Sequence, residues 1–256
     1  MKYFGTALTD TGIKKKINQD SLCLKIADTH RYGQVALAAV CDGVGGLAKG
    51  EIASATVIMA LSEWFENVLP KHLSDYNWQS LAVEWENMVN IQNGILLKYG
   101  KSIKADTGTT LSALLIIGSR YMTVHVGDSR IYEISGSVRM LTNDQTVTAR
   151  EVRLGAMTQE QAESDIRKNI LLQCIGASHH VKPEISFGNI SGGNVYMLCS
   201  DGLIHVVNES EIYSCFRPDE LINSKIMNRN AGKIIDLVKN RKEKDNISVI
   251  LLKAID

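Results

Sequence analysis

Three acidic residues stand where carboxylates do chemistry. Asp42 closes the apolar run of residues 35–41, Asp201 follows the run 195–199 across Ser200, and Asp245 precedes the run 247–252. A short continuous apolar run bounded by turn formers reads as a buried strand. Each acid therefore belongs to a strand end rather than a solvated surface. Gly43, Gly45 and Gly46 leave the backbone bare beside Asp42, so a ligand can approach closely. A strand-to-helix turn with an N-terminal cap explains one such acid; it does not explain three. Carboxylates and carbonyls without a Cys or His cluster make an oxygen site, which suits Mg²⁺ or Mn²⁺ rather than Zn²⁺. The six histidines, at 30, 72, 125, 179, 180 and 205, fall away from the strand ends. Crowded carboxylates repel one another unless more than one divalent ion neutralises them. Two such ions bridged by water make a nucleophile at neutral pH and stabilise in-line displacement at phosphorus. The chemistry indicated is phosphate-ester hydrolysis.

The elements that position these acids follow from hydrophobic period. Residues 3–9, 21–26 and 35–41 read as strands, the last two joined by a short loop and so antiparallel. Asp20 precedes one and Asp42 follows the other, which sets both at one sheet edge. The same logic sets Asp201 beside Asp245 if their strands pair antiparallel. Residues 51–69 carry Ile52, Ala55, Ile58, Met59, Leu61, Trp64, Phe65 and Val68 at helical spacing, stopped by Pro70. Residues 78–99 form a second amphipathic helix, with Trp78, Leu81, Trp85, Met88, Ile95 and Leu96 as its core face. Segments 111–117, 121–126, 130–134 and 138–141, separated by close turn signals, read as an antiparallel meander. Residues 143–169 are polar and weakly periodic, the pattern of a functional loop or lid. Strands follow over 181–190 and up to Cys199, then helices over 209–216, 218–227 and 231–241, and a strand over 247–255. This order lacks the regular alternation of a parallel sheet.

Composition removes several function classes. Lys plus Arg equals Asp plus Glu, 28 each in 256 residues, so there is no electrostatic footprint for nucleic acid or an anionic membrane. No apolar run reaches the roughly 18 residues that span a bilayer, and residues 1–12 lack a signal peptide's apolar stretch. Five scattered cysteines, at 23, 41, 174, 199 and 215, read as reduced thiols in a cytoplasmic protein. Residues 43–48 fit a G-x-G-x-x-A fingerprint, yet no second strand ending in an acid follows about twenty residues later to hold a ribose.

The ordered motifs carry a resemblance. Asp10-Thr11-Gly12 with Asn18-Gln19-Asp20, Val40-Cys41-Asp42-Gly43-Val44-Gly45-Gly46, Asp106-Thr107-Gly108-Thr109-Thr110, Val126-Gly127-Asp128-Ser129-Arg130, Leu141-Thr142-Asn143-Asp144, Leu198-Cys199-Ser200-Asp201-Gly202 and Lys244-Asp245-Asn246-Ile247-Ser248 stand in the order of the PPM family, the type 2C metal-dependent protein Ser/Thr phosphatases. The chain resembles its compact bacterial branch. The resemblance implies an α+β fold, a four-layer α-β-β-α sandwich of two antiparallel sheets flanked by helices. It implies one domain over residues 1–256, with 145–169 as the variable flap beside the substrate groove. Two Mg²⁺ or Mn²⁺ ions are expected, Asp42 bridging them, Gly43 giving a carbonyl, Asp201 and Asp245 completing the first and Asp20 holding a bound water. Asp106 with Asp201 resembles a third, weaker site. Hydrolysis is expected without a covalent intermediate, by a monomer acting on phosphorylated proteins, reversing a Ser/Thr kinase.

The chain departs from the family pattern in three places. Lys15 stands where the family usually has a phosphate-gripping Arg, and an ammonium is a point charge without the bidentate fork. The lysine triplet 14–16 otherwise reads as a solvated loop. Val44 stands where some animal members have a His taken as general acid, and Gln145 follows Asp144 where bacterial members often have a His. None of these removes a metal ligand. The alternative function is a phosphoprotein-binding module of the same fold that turns nothing over.

Overall fold

The computed structural model describes residues 1–255; Asp256, the last residue of the expected domain, lies outside them. The chain opens with β1 (Lys2–Asp10), β2 (Ser21–Thr29) and β3 (Gly33–Cys41), then α1 (Gly50–Asn67), α2 (Leu69–His72) and α3 (Trp78–Ile103). It continues with β4 (Leu111–Ile117), β5 (Arg120–Val126), β6 (Arg130–Ile134), β7 (Val138–Met140), α4 (Val147–Arg153) and α5 (Gln159–Ser164). It closes with β8 (Glu184–Asn189), β9 (Val195–Cys199), α6 (Asp201–Ile204), α7 (Glu209–Phe216), α8 (Ser224–Asn240) and β10 (Ile247–Ile255). One sheet has the order β1-β10-β9-β6-β7 and the other β2-β3-β4-β5-β8. Every named pairing is antiparallel.

The two sheets pack face to face, and this explains the unbroken apolar runs. In β3, Val35, Leu37, Ala39 and Cys41 pack with α1 and α3, while Ala36, Ala38 and Val40 face the opposite sheet. In β10, Val249 and Leu251 pack with α7 and α8, while Ile250 and Leu252 turn inward. A strand buried on both faces has no polar side to alternate. Leu114, Ile116, Leu198, Ile250 and Leu252 form the middle of the intersheet layer and are fully buried. Each such side chain stabilises the fold by about 1.5–3 kcal/mol relative to exposure. The expected α-β-β-α sandwich is therefore present.

Four local expectations change. The supposed meander is two hairpins in different sheets: β4 pairs β5, and β6 pairs β7. Between them Gly127, at φ 105°, turns the chain from one sheet to the other; a Cβ there would sit 2.6 Å from Thr110 Cγ2. Pro70 opens α2 rather than only ending α1, since Pro fits a first helical turn, where no N–H is needed. The helix expected from 218 begins only at Ser224, as α8, because Asn223 Oδ1 caps it, accepting from Ile226 N at 3.0 Å. Ile95 is not core but 47 % exposed.

The polar stretch 143–169 contains α4 and α5. Its base is stitched down where Val147 N donates to Ile170 O at 2.9 Å and Leu172 N to Gln145 O at 2.7 Å. Gln145, buried, accepts from Gly127 N through Oε1 at 3.0 Å and donates through Nε2 to His125 O at 3.3 Å. Gln145 thus joins the excursion to the sheet crossing. Among the described residues no helix is long and apolar enough to cross a membrane, and all five cysteines are free.

Truncation separates core from flap. Leu114→Ala, in the intersheet layer, should cost about 2–5 kcal/mol. Ile166→Ala, at a position 98 % exposed, should stay within about 0.5 kcal/mol. Urea unfolding midpoints at constant m-value measure both.

Candidate metal centre

Strand register brings the acids together. Ser21 pairs Cys41 across β2 and β3, so Asp20 and Asp42 leave the same edge. Cys199 pairs Val249 across β9 and β10, so Asp201 and Asp245 leave the corresponding edge of the other sheet. Asp42 is fixed by the 106–110 segment: its carbonyl accepts from Thr110 N at 2.9 Å and Thr109 Oγ1 at 2.9 Å, and its N–H donates to Thr110 Oγ1 at 3.0 Å. Gly43 N donates to Gln19 O at 3.1 Å, which closes the edge onto the loop before β2. Asp20 is 8 % exposed, and its Oδ2 accepts from Ser200 Oγ at 2.8 Å and Ser248 Oγ at 2.6 Å.

The crossing at Gly127 adds an acid that sequence reading left in a turn. Asp128 lies within the field of Asp201, and its charge acts on Asp42. Its neighbour Ser129 meets Thr110 Oγ1 at 2.7 Å, the hydroxyl that also holds Asp42. Asp106 does not join this group. It is exposed, its carbonyl accepts from Ala48 N at 2.9 Å, and its charge acts on Cys174, a thiol pushed up mainly by burial. The acid whose carboxyl feels Asp201 is Asp128.

Crowding shows in protonation. Burial, then the charges of Asp20, Asp201 and Asp128, hold the Asp42 carboxyl well above its ordinary range. Asp128 is raised strongly by burial, then by Asp201 and Asp144. Asp20 is raised to about 6, chiefly by burial, against the pull of its two serine hydroxyls. Asp201 is raised by burial and by Asp245, and opposed by His205.

Cations and donors already occupy part of the set. Lys15 Nζ lies 2.8 Å from Asp245 Oδ1. His205 Nε2 lies 3.4 Å from Asp201 Oδ2, and its Nδ1 lies 3.6 Å from Glu243 Oε2. His205 is thus an exception to the reading that no histidine stands at a strand end. The i, i+4 spacing from Asp201 was its signal. Among the described residues no three His, Cys, Asp or Glu side chains converge as a finished cage. One oxygen each of Asp245, Asp201 and Asp20 is turned to Lys15, His205 and the serines. Asp20 Oδ1 and Asp201 Oδ1 are buried with no hydrogen-bond partner. Buried carboxylate oxygens without donors are costly unless a cation meets them. An all-oxygen set with such orphans fits a hard divalent ion.

Two glycines let the edges close. Gly202 approaches Asn246 O, where a Cβ would lie at 2.1 Å; Gly12, at φ 77°, approaches Asp245 O, where a Cβ would lie at 2.3 Å. Asn246 clips the loop that carries Lys15: Oδ1 accepts from Gln19 N at 2.9 Å, and Nδ2 donates to Thr11 O at 3.0 Å and Ile17 O at 3.2 Å. Beside the acids runs a groove of about 670 Å³ between α6 and the 143–169 excursion, its wall including Asp128, Arg130, Asp201 and His205. Arg130 is not free to bind a ligand bidentately, because Nε and Nη2 fork onto Asp144 at 2.9 and 2.7 Å.

Residues 12–229, which carry four of the five acids, match a known family, protein phosphatase 2C. The chain belongs to that family. The serine/threonine protein phosphatase PstP of Mycobacterium tuberculosis is 30 % identical over 98 % of this chain, and the chain spans 45 % of that relative's length. The S. agalactiae serine/threonine phosphatase superposes with a TM-score of 0.84 at 29 % identity, covering 99 % of this chain and 100 % of that one. The catalytic domain of PstP in complex with 2 manganese ions gives a TM-score of 0.77 at 28 % identity, covering 99 % of both chains. The 2C fold thus extends over the whole edge that carries the five acids.

The raised carboxyls predict a pH dependence for the chelator-treated 2C chain. A carboxyl whose folded pKa lies above its unfolded value stabilises fully below the unfolded pKa, near 4, and loses that contribution as pH rises through the folded value. With Asp20 raised to about 6 and Asp42 and Asp128 also raised by burial and their neighbours' charges, Tm should fall as pH rises from about 4 through about 6. Asp128→Asn should flatten the fall. Parallel Tm curves for the two proteins over that window would contradict the assigned crowding.

Proposed function

We propose that this chain is a metal-dependent protein phosphatase that hydrolyses phosphoserine and phosphothreonine on proteins, opposing a Ser/Thr protein kinase. The observation that carries the reading is the gathering of Asp20, Asp42, Asp128, Asp201 and Asp245 at one edge of the sandwich, with buried carboxylate oxygens left unpartnered. Family membership and the bacterial serine/threonine phosphatases it resembles support the substrate class.

Asp42, Asp201, Asp245 and the Gly43 carbonyl would hold two Mg²⁺ or Mn²⁺ ions, with Asp20 behind them; Asp128 with Asp201 would offer a weaker third position. The manganese in the PstP catalytic domain supports divalent ions here. When bound, such ions polarise the phosphate ester and acidify water for attack on phosphorus. The chain's own residues bind and orient. Thr109 and Thr110 hold the Asp42 peptide, Ser200 and Ser248 hold Asp20, and Lys15 meets the phosphate as a point charge. The groove walled by the 145–169 flap takes the flanking peptide. The whole chain acts as one catalytic domain, a monomer, and its five free thiols fit the reducing cytoplasm.

Purified protein should hydrolyse phospho-Ser and phospho-Thr peptides with Mn²⁺ or Mg²⁺ and stop in excess EDTA; undiminished turnover in EDTA would overturn the reading. Asp42→Asn should abolish turnover at every metal concentration, whereas Asp245→Asn should lose activity that high Mn²⁺ partly restores. A charge-assisted phosphate contact contributes about 1.5–3 kcal/mol, so Lys15→Ala should lower kcat/KM by roughly ten- to hundredfold. Lys14→Ala and Lys16→Ala should change it little, since both side chains are exposed. Equal kcat/KM for the three alanine variants would remove Lys15 from the phosphate site.

A further inference from the structure

Lys15 is not reaching outward for a substrate. Its ammonium lies 2.8 Å from Asp245 Oδ1, with the two side chains 31 % and 34 % exposed. A Cβ built on Gly45 would lie 4.0 Å from the same Nζ, so the ammonium sits between Asp245 and the glycine loop that follows Asp42. The charges of Asp42 and Asp201 act on it as well. Its loop cannot easily carry it elsewhere. Gly12 is seated on the Asp245 carbonyl, and Asn246 holds Thr11, Ile17 and Gln19. The other basic groups near the acids are differently engaged: Arg130 forks onto Asp144, and His205 lies between Asp201 and Glu243.

An ammonium at hydrogen-bond distance and a divalent ion on the same carboxylate repel each other, so each weakens the other's hold. We infer that the Lys15 ammonium is an internal counter-cation on Asp245, which a divalent ion must displace, so that metal loading frees Lys15 for the phosphate. This rests on the proposed metal-dependent reading and adds an order to it. Loading is an exchange of cations on Asp245, and the phosphate contact becomes available only after it. Lys15 therefore opposes metal binding and favours phosphate binding. A residue that merely braces the site would support both.

Isothermal titration of Mn²⁺ into chelator-treated protein tests this. Lys15→Ala should bind Mn²⁺ about two- to fivefold more tightly than wild type, the scale of a partly exposed ion pair, while losing turnover. Lys15→Met, which keeps the apolar stem, should do the same and guards against a folding defect in the alanine variant. Lys14→Ala should bind as wild type. On an Asp245→Asn background, Lys15→Ala should bring a much smaller gain in affinity, since the carboxylate charge that holds the ammonium is gone while those of Asp42 and Asp201 remain. Mn²⁺ affinity unchanged or weakened in both Lys15 variants overturns the inference while leaving the metal-dependent reading intact. Absence of Mn²⁺ uptake by the wild type overturns both.

Discussion

Like-charge crowding at buried strand ends is the constraint on which this structure turns. Two carboxylates 4 Å apart repel by about 4 kcal/mol at the effective dielectric of a protein surface. Five acids share this edge, so they cannot all ionise without compensation. The surroundings read as the means of coping. Two serine hydroxyls serve one oxygen of Asp20, Lys15 sits on Asp245, His205 approaches Asp201, and Asp42 keeps its proton well above the usual range. What remains uncompensated, Asp20 Oδ1 and Asp201 Oδ1, is what a hard cation is suited to meet.

The sandwich produces the crowding through its register. Both sheets are antiparallel, so a strand that ends and a strand that begins deliver residues to one edge. The intersheet layer of Ala36, Ala38, Val40, Leu114, Leu198 and Ile250 then locks the two edges against each other. A one-residue slip in β3 would exchange its helix-facing and sheet-facing sets and break both cores. The positions of the acids are therefore secured by burial far from the acids themselves. This is why the site tolerates so much local repulsion.

The sheet edges were legible because period-two and continuous apolar runs mark strands, and because hairpin logic places Asp20 with Asp42 and Asp201 with Asp245. The two helices inside the flap, and the part played by Asp128 and His205, were not. Asp128 lies in a Gly-Asp-Ser turn that looks like any hairpin turn; only the sheet crossing, set by Gly127 against Thr110, makes it part of the edge. The Asp106 motif acts on this edge through its later residues, Thr109 and Thr110, which hold Asp42 by hydrogen bonds with no periodic signature. Gln145 looked like a departure at a functional position, yet it closes the base of the flap onto β5. Helix boundaries failed where a single side chain decides them, as Asn223 does for α8.

The metal-binding and phosphate-binding ends of the site are joined through one dipeptide. Asp245 offers its carboxylate to the cation, and its carbonyl seats Gly12; the next residue, Asn246, clips both flanks of Lys15. Movement of this strand end therefore moves the lysine loop as well. The residue type at position 15 then matters for exchange as much as for grip. A guanidinium would fork onto a carboxylate with two parallel hydrogen bonds, hold it more firmly, and be harder for an incoming ion to dislodge. An ammonium makes a single point contact, is strongly hydrated, and leaves at lower cost. On this argument lysine gives up bidentate recognition of phosphate but yields Asp245 more readily to a cation.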